Sequence, residues 1–459
     1  MNEITAKTSV QETPDAQAER LAGLASDVLA RARRHGAGEA EVSLEESHGL
    51  AVNVRMGEVE TVEHTRDRGV SVTVYVGRRK GSASTADLSP SSLEATVAQA
   101  VAIARFTEED PAAGLADAAL MARPGPDGFP DFDLWHPWDI DADRAVALAV
   151  ECESAGREAD ARIANSDGAG LNTGASVSVY ANSHGFVGVE RGTSHSLSCS
   201  LIAGSGDAMQ RDYWYTAGLA PEDLEAAAAV GRRAAERTVA RLAPRRIPTG
   251  HYPVLYTPEA ARSLVGHLLS AIAGSALYRQ ASFLLDHAGR QILPSWFEVL
   301  EQPHLRRGFR SAAFDADGVA TRTAPIVEDG VLRRYLLGSY SARKLGLATT
   351  ANAGGVRNVA VRANAGALAD IARDMGRGLV VTEMMGHGIN AITGDYSRGA
   401  AGFWVENGEI AHPVDEVTIA GNLKDMFMAI EAVGSDVDPR SHVRTGSILV
   451  GRMMVAAGD

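Results

Sequence analysis

The side chains best suited to chemistry in this chain crowd into one short stretch. Glu383, His387, Asp395, Tyr396, Ser397 and Arg398 are interleaved with Gly386, Gly388, Gly394 and Gly399. Glycine at that density marks tight turns and close backbone approach, the usual setting of a binding surface. Arg398 is a residue type suited to bidentate carboxylate recognition, with Tyr396 and Ser397 as further contacts to a peptide. The same residues also read as structure, with Asp395 and Arg398 pairing to hold a turn beneath Phe403 and Trp404. Glu383 and His387 sit four apart and would share a helix face, where Asp395 could complete a metal site. Gly386 and Gly388 argue against a helix there. Residues 379–382 read as a strand, so 383–390 is expected to be a loop at its end that contacts substrate or partner.

Elsewhere the search for catalytic apparatus returns little. The thirteen histidines include no HExxH and no pair at i, i+4. There is no GxSxG elbow, no Walker loop and no GxGxxG after a strand. Gly168-Ala169-Gly170 reads as a loop between strands. Cys152 and Cys199 form neither a CxxC pair nor a disulfide framework, and Cys199 alternates with apolar neighbours as a small core residue does. His267, followed by Leu268, Leu269 and Ile272, reads as a hydrogen-bonded core histidine on an apolar helix.

These residues need a scaffold, and 459 residues are more than one hydrophobic core usually serves. The expected fold class is α+β. A tail at 1–16 precedes an N-terminal α+β domain at 17–243, a linker at 244–249 and a mainly antiparallel β domain at 250–459, curved or barrel-like. In the first domain a helix at 17–35 leads into strand runs through residue 76 and a helix from Pro90 to Ile103, with Ser89 as N-cap. The pattern then repeats: a helix at 141–158, strands at 161–165, 174–182, 185–191 and 194–203, and a helix at 221–242. Ser183-His184-Gly185-Phe186 echoes Ser47-His48-Gly49-Leu50. Residues 107–140 form a long connection between the two halves. In the second domain Asp329-Gly330 and Asn407-Gly408 stand between apolar runs, the strongest short hairpin signals.

Net charge is −14, which argues against a nucleic-acid groove. No apolar run approaches the roughly 20 residues of a membrane helix, and the first twenty residues lack a signal peptide's apolar core. A cytoplasmic protein is expected.

The runs GDYSRGAAGFWVENGEI at 394–410 and TIAGNLKDMF at 418–427 resemble the PmbA/TldE branch of the TldD/PmbA family. HLLSAIAGSALYRQASFLLD at 267–286 and LLGSYSARKLGL at 336–347 extend the resemblance. It is looser over 20–240. The family forms bacterial zinc-dependent peptidase complexes. In its TldD branch, a helix carries His-Glu-x-x-x-His, whose histidines bind zinc with help from a C-terminal cysteine while the Glu acts as general base. The matching positions here are Arg262, Ser263 and His267, and no cysteine follows Val443. If Arg262 projected toward that metal position, it would repel a divalent cation by on the order of 8 kcal/mol at about 4 Å and an effective dielectric of about 20.

The resemblance therefore implies a subunit with no catalytic residue or cofactor of its own, zinc being held by a TldD-like partner. This chain would supply chamber wall and peptide grip, acting on unfolded peptides as part of a hetero- or homodimer. Two other readings stand beside it: a non-enzymatic homodimeric binding or regulatory protein, and a peptidase with an atypical metal site around Glu383 and His387.

Overall fold

The computed structural model describes residues 12–126 and 128–457. The expected tail lies outside the described residues as far as residue 11. Its last three residues do not belong to a tail, because helix α1 spans Pro14–Arg34. Thr13 caps it, its hydroxyl accepting from the Ala16 amide at 3.3 Å, and Pro14 takes the first helical position, where no amide hydrogen is needed.

Three strands follow, β1 (Glu39–Arg55), β2 (Glu58–Val76) and β3 (Arg79–Thr85), and then helix α2 (Pro90–Phe106). The order recurs as helix α3 (Ala142–Ala159), strands β4 (Ile163–Asn182), β5 (Val187–Ala203) and β6 (Gln210–Gly218), and helix α4 (Ala227–Ala240). Helix, three strands, helix thus occurs twice. The six strands hydrogen-bond in the order β3-β2-β1-β4-β5-β6, so each set of three runs outward from a central β1–β4 pair.

The expected second set had four short strands. The runs at 161–165 and 174–182 are one strand, β4, which continues through Gly168 and Gly170, so these glycines lie in a strand and not a loop. Those at 185–191 and 194–203 are likewise one strand, β5. Neighbours on both sides supply ladder bonds that carry a strand through residues of low β propensity. The four-residue echo is not structural: 47–50 lie inside β1, while 183–185 fall between β4 and β5.

By its contacts the chain forms two compact units. One holds residues 12–49 with 65–119 and 174–193, and in it α2 lies on β3 and packs beside α1. The other holds the described residues of 50–64, 120–173 and 194–457. In this second unit α3 and α4 pack together, and Ala149, Cys152, Leu197, Cys199, Leu201, Val230 and Ala234 form a core.

The remainder of the second unit begins with β7 (Gly250–Tyr256), helix α5 (Pro258–Ala271) and the short α6 (Gly274–Tyr278). Next come β8 (Val299–Glu301), β9 (Ala324–Glu328), β10 (Val331–Leu332), α7 (Ser339–Leu345), β11 (Val359–Val361) and α8 (Leu368–Met375). The chain ends with β12 (Gly378–Met385), β13 (Asp395–Glu406), β14 (Glu409–Asn422), α9 (Leu423–Met428), β15 (Ile430–Val433), β16 (Val443–Arg444) and β17 (Ile448–Ala456). Strands β14-β13-β12-β7-β17 close into a five-stranded barrel because β14 also pairs with β17. A second sheet runs β10-β9-β8-β11-β16. Both expected hairpins are present: Asn407 and Gly408 have φ of 53° and 80°, and Asp329 and Gly330 have 52° and 73°. Positive φ at both central residues matches the twist of the flanking strands. Helix α5 lies against β7 and β12 and buries Leu264 and Leu268, with Ile272 at its C-cap, in the core with Tyr256 and Trp404.

Candidate functional site

Helix α5 presents three of the sequence-selected positions, and each is committed to something other than a metal. The Arg262 guanidinium reaches Asp438 and donates to the Tyr215 hydroxyl at 3.1 Å. It is anchored outward by an acid, which answers the question of where its charge goes. Ser263 Oγ donates to the Ala260 carbonyl 2.7 Å away, within its own helix. His267 is not the hydrogen-bonded core histidine expected, since its buried Nε2 has no partner.

His267 instead belongs to a ring of aromatic and cationic groups on the inner face of β13. Strand alternation points Tyr396 and Arg398 inward together, while Asp395 and Ser397 are exposed on the opposite face. The expected Asp395–Arg398 pair cannot form across that alternation. Asp395 accepts from the Thr393 hydroxyl at 2.6 Å and from Asn422 at 3.1 Å, which hold its carboxyl below the usual range. The buried Tyr396 hydroxyl faces Tyr256 and Arg398, and Arg398 Nε is buried and, like His267 Nε2, unpartnered. Burial, with the Arg398 charge adding to it, pushes the His267 pKa down to about 4.

Glu383 also departs from expectation. Strand β12 continues to Met385, so Glu383 lies in a strand, just past a register shift after Val381, and not in a loop. Its carboxylate pairs with Arg241, which also faces Asp415 at 3.6 Å and Asp212 at 4.0 Å. His387 is exposed in the turn beyond. That turn presses on β13: a Cβ on Gly388 would lie 1.7 Å from the Ser397 carbonyl oxygen, so only glycine fits. The structure thus separates Glu383, His387 and Asp395 into an ion cluster, a turn and a hydrogen-bonded strand end.

Zinc requires three protein ligands at about 2.0–2.3 Å and an open position. Among the described residues no three His, Cys, Asp or Glu side chains converge in that way. At the α5 position one ligand site is a paired cation, the next is a helix-bonded serine, and the remaining histidine has a guanidinium beside it. These residues do not fit zinc. The cysteines offer no alternative nucleophile: both are buried and free, and the contact with Cys199, together with burial, raises the Cys152 thiol.

Sequence reading missed a cleft of about 870 Å³ where β6, α4, α5 and the segment around β16 meet. Its wall is organised by Trp214. The Arg440 guanidinium lies 4.0 Å from the Trp214 ring centre and 4.3 Å from that of Tyr215, with Arg233 at 4.9 Å and Arg237 at 5.3 Å from Trp214. Asp438 accepts from both Arg262 and Arg440. Burial works against its ionisation, yet the Arg440 hydrogen bonds and the two guanidinium charges hold its carboxyl below the usual range. The available signal was Tyr213-Trp214-Tyr215, three adjacent aromatics in a chain only 5% aromatic.

Comparison with known proteins gives this geometry a family. Models of the PmbA/TldA metallopeptidase match the chain three times: domain 1 over residues 40–104, the central domain over 135–242 and the C-terminal domain over 249–457. The "Metalloprotease PmbA" of Escherichia coli O157:H7 is 48% identical over 91% of this chain and 92% of its own length. A PmbA homologue from Haemophilus influenzae is 46% identical over 96% and 97%. Among solved structures, a Bacteroides thetaiotaomicron protein described as a candidate modulator of DNA gyrase superposes with a TM-score of 0.90 at 27% identity, over 97% of this chain and all of its own. TldE from Thermococcus kodakarensis shares the fold, with a TM-score of 0.82 at 20% identity over 95% of this chain and all of its own. Matched by all three of the family's domain models and nearly half identical to named relatives over almost its whole length, the chain belongs to the PmbA/TldD metallopeptidase family.

Proposed function

We propose that this chain is the zinc-lacking subunit of a cytoplasmic metallopeptidase complex, forming chamber wall and peptide-binding surface while a TldD-like partner holds the metal. The observation that carries the reading is the state of α5. Arg262 is tied to Asp438 and Tyr215, Ser263 is bonded to its own helix, and His267 is kept neutral beside Arg398. A helix so committed has structural work to do and no open coordination position to offer.

The barrel supports the division of labour in a specific way. Closure leaves β13 paired on both sides, so it offers side chains to a peptide and no free backbone edge. The exposed positions Asp395, Ser397 and His387 are the peptide contacts on this reading. Tyr396, Arg398 and Glu383 support them from within.

The test is elemental mass spectrometry of the purified chain alone and after co-expression with a His-Glu-x-x-x-His-bearing TldD-like protein. Near-zero zinc alone, one zinc per heterodimer, and peptide turnover only by the heterodimer are expected. Stoichiometric zinc in the isolated chain, or failure of the two chains to co-purify, overturns the proposal.

A further inference from the structure

The cleft beside Trp214 has an imbalance that its own residues do not resolve. Five arginines and five carboxylates line it. Every one of those carboxylates has a donor: Arg307 meets Asp223 at 3.0 Å, Arg440 meets Glu259 at 3.0 Å and Asp438 at 2.9 Å, Trp214 Nε1 donates to Glu225 at 3.1 Å, and Ser447 donates to Asp436 at 2.6 Å. Two of the arginines have no acceptor among the described residues. Arg233 lies over Trp214, exposed to water and without an ion pair, and the Arg444 side chain makes no hydrogen bond, its Nε being buried and unpartnered. A buried guanidinium nitrogen without an acceptor is costly, so the Arg444 side chain has an unmet demand for one acceptor.

The remaining features say what kind of anion. A wall of five positive and five negative groups has no net charge, which disfavours a polyphosphate or nucleic acid and suits a ligand bearing one carboxylate. The volume lies within the range of about 300–1,000 Å³ common for small-ligand sites. One wall is β6, the edge strand of its sheet, whose Tyr215 carbonyl is taken by Arg440 Nη1 at 2.6 Å. Arg444 sits on β16, also an edge strand. Edge strands with a carboxylate receptor beside them are a recurring way to capture a chain end, since the peptide backbone pairs with the edge while a cation takes the terminus.

We propose that this cleft binds the C-terminal residue of a peptide, its carboxylate held by Arg444 and its backbone lying along β6 against Trp214. The assignment shares with the proposed function only the premise that the ligand is a peptide. It concerns the isolated chain and needs neither partner nor zinc.

The test is titration calorimetry on the full chain alone with N-acetylated tripeptides ending in Phe, once as the free acid and once as the C-terminal amide. The free acid should bind at least about tenfold more tightly than the amide. Arg444→Met should remove that preference while leaving the thermal midpoint within a few degrees. Arg444→Lys should restore part of it, and Arg233→Met should weaken binding less than Arg444→Met. Equal binding of acid and amide, no binding of either, an acid preference that survives Arg444→Met, or displacement of the peptide by inorganic phosphate overturns the proposal. None of those results bears on the zinc and co-purification measurements, so the subunit assignment stands or falls separately.

Discussion

The His267 ring meets the Tyr396 ring edge-on, with centroids 6.0 Å apart and planes at 68°. The pair joins α5 to β13, and Arg398 lies close enough for its charge to act on the imidazole. Burial disfavours the charged imidazolium, and protonation would also place a second cation beside Arg398, so the His267 pKa falls to about 4 from 6.5.

That shift has a sign. Between about pH 6.5 and 4 the unfolded chain binds a proton at His267 that the folded chain refuses, so stability falls as pH falls through this window. A shift of this size corresponds to on the order of 3 kcal/mol. His267→Phe removes the titration, so the stability difference between wild type and variant, measured by urea unfolding at pH 7.5 and 4.5, should move in favour of the variant at the lower pH. A difference that stays constant across this range rules out a buried neutral histidine.

Arg241 is nine-tenths buried and stands among three carboxylates, Glu383, Asp212 and Asp415. Arg241→Met would leave Glu383 and Asp415 without their cation, while Asp212 would keep Arg237 at 3.4 Å. The expected loss is on the order of 3 kcal/mol, at the low end for a buried ionic group because Glu383 stays about a third open to water. Adding Glu383→Gln should recover part of it, and strict additivity in the double-mutant cycle would show that the two residues do not interact.

Arg262→Ala separates the structural role of this arginine from any role in catalysis. Asp438 would keep Arg440 but lose its second cation, costing about 2 kcal/mol at neutral pH. The cost should shrink as pH drops below the usual aspartate value near 3.8 and Asp438 takes up a proton, because a depressed carboxyl stabilises only while ionised. Unchanged melting at pH 7 would show that the Arg262–Asp438 contact contributes nothing.

Where α3 crosses α4, a Cβ on Gly231 would lie 1.8 Å from the Cys152 carbonyl oxygen, and one on Gly156 would lie 2.7 Å from the Gly231 carbonyl. Gly231→Ala gains helix propensity of about 1 kcal/mol, yet must push the helices apart. A net destabilisation of about 2 kcal/mol or more is expected in thermal melts. A stabilised variant would mean that the crossing has room.

Much of the scaffold was legible because its rules are local. Ser89-Pro90 states a helix start, and the Val70 to Val76 alternation states a strand buried on one face, whereas the Thr13-Pro14 start of α1 was passed over as tail. Strand continuity was harder to read. Gly168 and Gly170 resemble breaks in isolation, and only the neighbouring strands carry β4 across them. Glu383 was misplaced for a similar reason: Gly386 signals the end of the strand, but its β13 partner keeps β12 extended to Met385.

By itself the sequence determined that residues 262 and 263 are not a metal ligand and a general base, since arginine and serine lack the required chemistry wherever they point. It also determined the hairpins, through residues that alone accept positive φ. Only the tertiary structure decided what those residues do instead. Arg262 finds Asp438 across 176 positions, and Arg440 finds the Tyr215 carbonyl across 225. Contacts of that separation leave no periodicity in a sequence, because they are fixed by the packing of α5 and the closing of sheets far apart in the chain, and by no rule that runs along it.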